Sequence, residues 1–341
     1  MAPGRLDTDV IIAGGGPAGA ATAIACAQRG LRVCLFERAV FSGHRPGETL
    51  HPGIEPLLRQ LGLADRFQAT VGARHSGIWL SWGGRKQFQP YGTDQDSGWQ
   101  GFQVSRTAFD QLLLDYAHEQ GVEVCQPCGI DRVQLAQENE VRVLTGAGPF
   151  SARIIVDATG RASWLSRRLG IARHARSPRL IARYGYAAGS CYGRYELPEL
   201  VGDSKGWIWT AMVQPGLYHW TYVAADGSRP HPSWVPVDLR GLTPVGPPKG
   251  ADVTWRMASH PAHPAWFIVG DAACLLDPLS SKGVLRAMMS GIAAGDLIAN
   301  VLNGHIPAKA AANMYQHWLS EWFAQEAMHL ARFYQQLGIA G

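Results

Sequence analysis

The sequence is short of most features that assign a chain to a class at a glance. It holds no uncharged apolar run near the roughly 20 residues a membrane span needs. Met1 to Val10 shows no basic segment followed by an apolar stretch of the signal-peptide kind. A cytoplasmic protein without a transmembrane segment is therefore expected. Basic residues number 31 against 27 acidic ones, a formal net charge of only +4, and the arginines are scattered rather than run together. That argues against nucleic acid as a partner and leaves only mild attraction for acidic ligands. Cysteine is sparse, six in 341 residues, which suits the same compartment. Cys26 and Cys34 fall in a predicted helix and strand and read as buried apolar side chains. Cys125 and Cys128 form a lone C-x-x-C without two further ligands at zinc spacing, so they read as structural and no metal is expected. There is no internal repeat and no low-complexity tail.

What the chain does have is apolar residues (46%) for a sizeable core and 40 glycines, some of which are expected where backbone approaches a ligand. Its length suits about two domains. A strand over 9–13, a glycine turn, a helix over 17–29 and a strand over 32–37 open the chain as a βαβ unit. Alternation of Ile78, Leu80 and Trp82, a Gly83-Gly84 turn and Phe88 predict an antiparallel hairpin over 76–90. Helical periodicity returns over 106–119. Short strands are expected at 122–125, 131–135, 141–145 and 153–156, then at 180–186, 207–213 and 219–224, with loop over 226–250. A buried strand over 266–269 precedes two closing helices, 283–303 and 308–337. The last of these carries Tyr315, Trp318, Leu319, Trp322, Phe323, Leu330 and Tyr334 on one broad face, expected to pack on the chain itself.

Gly14-Gly15-Gly16-Pro17-Ala18-Gly19 satisfies G-x-G-x-x-G between an apolar strand and a helix, and Glu37 ends the next strand. That context marks a dinucleotide site. Gly14 permits the tight turn, Gly16 lets a pyrophosphate reach the backbone, and Gly19 lets helix and strand pack closely. The helix N-terminus, Pro17 and Ala18 included, offers free N–H groups and partial positive charge to phosphate. Glu37 is suited to ribose hydroxyls and disfavours a 2′-phosphate. No second G-x-G-x-x-G and no redox cysteine pair near the first argue against a disulfide oxidoreductase.

Gly270-Asp271-Ala272-Ala273, with its preceding strand and following helix, selects the cofactor. Here the chain resembles the FAD-binding family of aromatic-ring monooxygenases, flavin-dependent halogenases and geranylgeranyl-type reductases. The resemblance implies FAD as cofactor, with Asp271 on its ribityl chain, Arg45 (beside Arg38, just after the second strand) toward the pyrophosphate, and Arg106 with Gln103 at a flavin-contacting helix start. It implies that the loop from Asp277 through Pro278 to Gly283 wraps the isoalloxazine ring, where a helix N-terminus stabilises negative charge on the flavin. Small Ser280 and Ser281 would let the ring approach, and Lys282 either adds charge or faces solvent. The implied fold is α/β: a Rossmann-type FAD-binding domain (1–74, 102–178 and 260–303), an interleaved β-rich substrate domain (75–101 and 179–259), and a C-terminal helix (304–341).

The subgroup is read from three further segments. Trp207-Ile208-Trp209-Thr210-Ala211-Met212 is similar to the first half of the halogenase motif W-x-W-x-I-P and departs from its end. The active-site lysine of halogenases has no match after Pro46-Gly47-Glu48, since Lys86 lies on the hairpin. Asp157-Ala158-Thr159-Gly160-Arg161 and the segment 46–52 resemble the flavoproteins that form quinone cofactors from tryptophan side chains in partner proteins. The expected activity is thus hydroxylation of an electron-rich aromatic small molecule or a tryptophan in a peptide or protein, with electrons from a separate flavin reductase or NAD(P)H. Halogenation, isoprenoid reduction and a non-catalytic flavin scaffold are the alternatives. Glu48, His51 and Lys282 are the catalytic candidates. Trp207, Trp209, His219 and Tyr222 are the candidates for a substrate pocket, although each has a structural reading as well.

Overall fold

The computed structural model describes residues 7–92, 98–136, 140–191, 197–228, 231, 234–336 and 338. Its first layer is a parallel sheet. Strand β1 (Val10–Ala13) lies between β2 (Val33–Phe36) on one side and Ile154–Asp157 on the other. Glu123–Cys125 extends the sheet beyond β2, and Trp266–Ile268 extends it beyond Ile154–Asp157. All four residues of β1 and of β2 are buried, the continuous apolar pattern of a sheet covered on both faces.

Helix α1 (Pro17–Ala27) starts on Gly16 with proline in its first turn. It ends two residues before the periodicity suggested. It is nearly all Ala and Gly on the side facing helix Gly283–Leu302. A Cβ at Gly291 would sit 2.3 Å from the Ala18 carbonyl, and one at Gly295 would sit 2.8 Å from Ala25 Cβ. Small residues on both helices therefore let the two backbones close together. Helix Gly283–Leu302 is long and apolar enough to cross a membrane by length and composition alone. It carries Arg286 and Asp296, however, and buries its apolar face on α1.

The second layer is an antiparallel sheet built chiefly on Ile181–Ala188, Leu217–Ala224, Gly206–Gln214 and Glu199–Asp203, with the hairpin Gly77–Trp82/Arg85–Pro90 at its far edge. The stretch 226–250, expected as loop, contributes short strands: Thr243–Pro244 and the first residues of Lys249–Asp252 both pair with Ile181–Ala188. Two- to four-residue strands carry too little periodicity to show in sequence. The same holds for Thr49–Leu50 and for Gly101–Val104, and the six-residue helix Trp164–Leu169 was equally silent.

The last helix, Ala308–Gln336, joins the layers; Leu337 lies outside the described residues. Tyr315 and Leu319 sit in the core formed with α1, while Phe323, Leu330 and Tyr334 sit in a second core with Trp207 and Trp209. The face read from the sequence is thus spent on two cores in succession.

Candidate active site

A cleft of about 1320 Å³ opens where the parallel strands end, between the two layers. This is the end at which open α/β sheets bind ligands. Its floor follows the strand termini in turn: Gly14 after β1, Glu37 after β2, Ala158 to Ala162 after Ile154–Asp157, and Val269 with Asp271 after Trp266–Ile268. The volume exceeds the roughly 300–1,000 Å³ of one small-molecule site. There is space for a dinucleotide and a second molecule.

The glycines of the fingerprint divide by what surrounds them. Gly14 has φ of +105°, and a Cβ there would lie 2.5 Å from the Ala158 carbonyl oxygen. A Cβ on Gly19 would fall 1.9 Å from the Gly14 carbonyl oxygen, so the helix start and the turn touch through bare backbone. Around Gly16 nothing lies within 4 Å of such a Cβ. Gly14 and Gly19 therefore serve the fold, and Gly16 leaves room for a ligand at the helix N-terminus, beside Pro17 and Ala18. Glu37 accepts from Gly15 N at 2.8 Å and from Ala39 N at 3.1 Å, which fixes its carboxylate at the cleft wall next to Arg38.

Asp110 was not singled out by sequence, yet it organises the basic side of the cleft. Fully buried, it accepts from Arg106 Nε and Nη2 at 3.0 Å each and from Arg45 Nη1 at 2.7 Å. The third edge of Arg106 donates to the Pro46 carbonyl at 2.8 Å. Asp110 raises the Arg106 guanidinium above its ordinary range against the opposing effect of burial. The i, i+4 spacing of Arg106 and Asp110 was the available signal.

Gly270 adopts φ of +59° and donates its N–H to Ser290 Oγ at 2.9 Å. Asp271 follows at the cleft floor. Burial raises its carboxyl, and Arg286, Arg161, Arg106 and Arg173 oppose that rise. Pro278, Ser281 and Gly283 line the cleft as the loop turns into its helix, and the Ser280 side chain lies outside the described residues. Arg286, one turn into that helix, also lines the cleft, and its buried Nη1 has no hydrogen-bond partner among the described residues. The guanidinium also sits over the Trp322 ring at 5.6 Å, and an orphaned buried nitrogen on a residue lining such a cleft fits an anionic or carbonyl-bearing ligand.

A family model for FAD-dependent oxidoreductases matches residues 9–170. The tryptophan 2-halogenase of Chondromyces crocatus is 28% identical over 96% of this chain and 68% of its own. The solved structure of the myxobacterial chondrochloren halogenase CndH superposes with a TM-score of 0.87 at 25% identity, covering 96% of this chain and 82% of that one. CmlS, a flavin-dependent halogenase, does so at 0.86 and 23% identity, covering 99% of this chain and 66% of that one, a likeness of fold. The chain thus spans about two thirds of the length of that halogenase.

The chain resembles the FAD-dependent oxidoreductases.

FAD is the cofactor, and three features of the cleft suit it: the open space at Gly16, the anchored Glu37 carboxylate, and the unpartnered Arg286 nitrogen. The other half of the oxidoreductase's cleft is walled by one face of the antiparallel sheet. Cross-strand register sets Trp209 beside Thr221 and Tyr184, and sets Tyr186 beside His219. Trp207, Trp209, Tyr184, His219 and Thr221 all line the cleft. Glu48 meets them from the loop before Thr49. It is 2% exposed, accepts from the Tyr186 hydroxyl at 3.1 Å, and lies 3.9 Å from His219 Nδ1. Burial pushes the Glu48 carboxyl up to about 8 and pulls the His219 imidazole down to about 3, with His44 adding to the latter. At neutral pH the two are therefore a neutral acid beside a neutral imidazole, not an ion pair.

Three of the proposed site residues lie elsewhere. Tyr222 is on the opposite face of its strand from His219, tilted against Trp234 at 4.9 Å between ring centres, because positions three apart on a strand point to opposite sides. Lys282 turns away from the cleft and donates to Glu326 of the last helix at 3.1 Å. His51 accepts from Gly53 N at 3.1 Å and packs edge-on to Tyr91; burial and the nearby Lys282 lower its imidazole. Asp157 of the D-A-T-G-R turn is buried and holds Thr159 N and Leu165 N at 2.9 Å each, a structural duty, while Arg161 reaches the cleft. Cys125 and Cys128 bracket Glu37, whose N–H donates to the Cys125 carbonyl and whose carbonyl accepts from Cys128 N. Ligand atoms of Cys34, Glu123 and Cys125 lie within 4.8 Å of one another, a grouping across neighbouring strands that spacing did not reveal.

Proposed function

We propose that the protein is an FAD-dependent monooxygenase that hydroxylates an electron-rich aromatic ring seated against Trp207 and Trp209. The observation carrying this reading is Glu48, a buried carboxyl that lines the cleft, accepts from the Tyr186 hydroxyl at 3.1 Å and lies 3.9 Å from His219 Nδ1. In this reading Gly16, Pro17 and Ala18 hold the pyrophosphate, with Arg45 and Arg106 on its basic side, and Glu37 with Arg38 takes the adenosine ribose. Asp271 takes the ribityl chain, and Pro278 to Gly283 lies along the ring system. When bound and reduced, FAD supplies the electron pair that activates dioxygen, one oxygen atom passing to the substrate and the other leaving as water. Trp207 and Trp209, almost fully buried in the sheet, build the wall against which the substrate ring lies. Ionised Glu48 takes, on Oε1, the proton that the ring carbon loses as aromaticity returns, while Tyr186 steadies Oε2. His219, held neutral, accepts or donates one hydrogen bond without adding charge.

The substrate is an indole or a phenol, free or as a tryptophan in a peptide. Electrons come from a separate reductase or NAD(P)H, in the cytoplasm. Halogenation is the second reading, favoured by what the relatives are named. Against it, Lys249 is the lysine among the described cleft-lining residues, and it is solvent-exposed, whereas Lys86 pairs with Glu199 at 3.0 Å on the hairpin.

Mass spectrometry of reactions supplied with reduced FAD, ¹⁸O₂ and chloride or bromide tests both. A panel of indoles, phenols and tryptophan-containing peptides should gain one heavy oxygen. A halide-dependent mass gain would establish halogenation instead, and loss of a double bond without oxygen would indicate reduction.

A further inference from the structure

We infer that Tyr334 is a positioning residue, through which the C-terminal helix holds the flavin-facing loop in place and ties it to the Trp207 wall of the substrate cleft. The inference rests on the reading of Pro278 to Gly283 as the segment along the flavin. Asp277, at the head of that loop, is fully buried and its carboxylate is saturated by three donors from three parts of the chain. Leu279 N donates to Oδ1 at 3.0 Å, closing the turn. Trp255 Nε1 donates to Oδ2 at 3.0 Å, and the Tyr334 hydroxyl donates to the same oxygen at 2.7 Å. Tyr334 in turn accepts from Trp207 Nε1 at 2.9 Å.

A continuous chain of hydrogen bonds therefore runs from an indole that lines the substrate end, through the last helix, to the loop. Tyr334, Trp207 and Trp255 are all buried, so water cannot substitute for a lost partner. Burial, with Asp277 adding to it, raises the Tyr334 phenol far above its ordinary range, which keeps it a donor.

The loop needs such a hold. Ser281 adopts a left-handed conformation, φ of +51°, which an L-residue keeps only where its surroundings impose it. At the loop's other end Lys282 Nζ is fastened to Glu326, one more contact with the same helix. Both ends of the segment are thus secured from one element, 44 to 57 residues further along the chain. Holding a binding loop in its bound shape lowers the cost of binding itself.

The test is titration of the full-length apoprotein with FAD, read by flavin fluorescence and by the visible spectrum of the bound form, beside a thermal melt without FAD. Tyr334→Phe should weaken FAD binding by about tenfold or more, the cost of one buried hydrogen bond whose acceptor stays behind. It should also shift the spectrum of the flavin that does bind. Asp277→Asn, which turns a donor toward other donors, should do the same more strongly. A lower apoprotein melting temperature with unchanged FAD affinity and an unchanged spectrum would leave Tyr334 a packing residue and overturn the inference. Failure of the wild-type protein to take up FAD would instead bring down the reading of the cleft, and this inference with it. Should Tyr334→Phe not fold, Glu326→Gln, which releases Lys282 from a part-exposed pair, is read on the same two measurements.

Discussion

The Tyr186 hydroxyl donates to Glu48 Oε2 at 3.1 Å, joining two residues 138 positions apart at the inner end of the cleft. Each comes from a different layer: Tyr186 from the face of the antiparallel sheet, Glu48 from the loop that follows the basic rim of the dinucleotide cradle. Burial makes this carboxyl keep its proton longer than a surface glutamate does, against the opposing pull of the Tyr186 hydrogen bond and the Arg106 charge. That single relationship sets two measurable pH dependences.

The first is in stability. Glu48 has a folded-state value of about 8 against 4.5 for an ordinary glutamate, so the folded protein binds one proton more than the unfolded chain between those limits. Its stabilising contribution is complete below about 4.5 and is lost as pH rises through about 8. His219 and His75, lowered to about 3 and about 4 by burial, act in the opposite sense and contribute only as pH falls below about 6.5. Between pH 6.5 and 8 Glu48 is thus unopposed by them. Urea midpoints of the apoprotein should fall across that interval by an amount equivalent to about 1–2 kcal/mol, and Glu48→Gln should remove that fall. Parallel curves for the two proteins would show that Glu48 is not the group titrating.

The second is in turnover. A base is useful only in its ionised form, so hydroxylation should increase as pH passes through about 8 with the slope of one proton. Glu48→Gln keeps the shape and the bond to Tyr186 but cannot take a proton. Turnover should drop by about 10²–10⁴-fold with its upward limb gone, while FAD affinity stays within about threefold. An unaltered profile in the variant would assign the proton to another group.

Much of this site was legible in the sequence because its chemistry is local. The G-x-G-x-x-G turn, Glu37 at the end of the next strand, and Gly270-Asp271 before a helix are short patterns, and all of them line or frame one cleft. Trp207 and Trp209 share a face because two-residue spacing on a strand requires it. The same rule, applied to His219 and Tyr222 on the strand expected over 219–224, separates them. The long-range contacts of Lys282, Asp277 and Asp110 were beyond reach for another reason. Their partners, Glu326, Tyr334 and Arg45, lie 44 to 65 positions away, and nothing in periodicity links residues so distant. Tyr186 was hidden inside a strand that was itself correctly placed.

Gly19 and Gly16 of the fingerprint should part company when changed to alanine. At Gly19 a Cβ would overlap the Gly14 carbonyl at 1.9 Å, a contact between backbones that no rotamer can relieve. Gly19→Ala should destabilise the apoprotein by about 1–3 kcal/mol or prevent folding. Gly16 has φ of −71°, a value any residue adopts, with open space beyond it. Gly16→Ala should leave the apoprotein melt within about 2 °C, yet weaken FAD binding at least tenfold, because the methyl group occupies the space at the helix N-terminus. Equal losses of stability in both variants, or unchanged FAD affinity in Gly16→Ala, would mean that the cradle faces elsewhere.

Asp110 offers the sharpest contrast between buried and exposed charge in this protein. Its carboxylate is the common acceptor for Arg45 and Arg106, and Arg106 is itself only 11% exposed. Asp110→Ala removes the acceptor and leaves a nearly buried guanidinium with the Pro46 carbonyl alone in hydrogen-bonding reach. The expected cost is about 3–5 kcal/mol of apoprotein stability, most of it the penalty of an uncompensated charge rather than the worth of the pair. Arg66 and Glu119 form an equally close pair at 2.6 Å with both side chains about half exposed. There Glu119→Gln should cost under about 1 kcal/mol, and less still in 0.5 M salt. Urea unfolding of the two variants at low and high salt compares them directly. Were Asp110→Ala no worse than Glu119→Gln, water would have to reach Arg106, and the basic rim of the cleft would be a solvated surface rather than a prepared one.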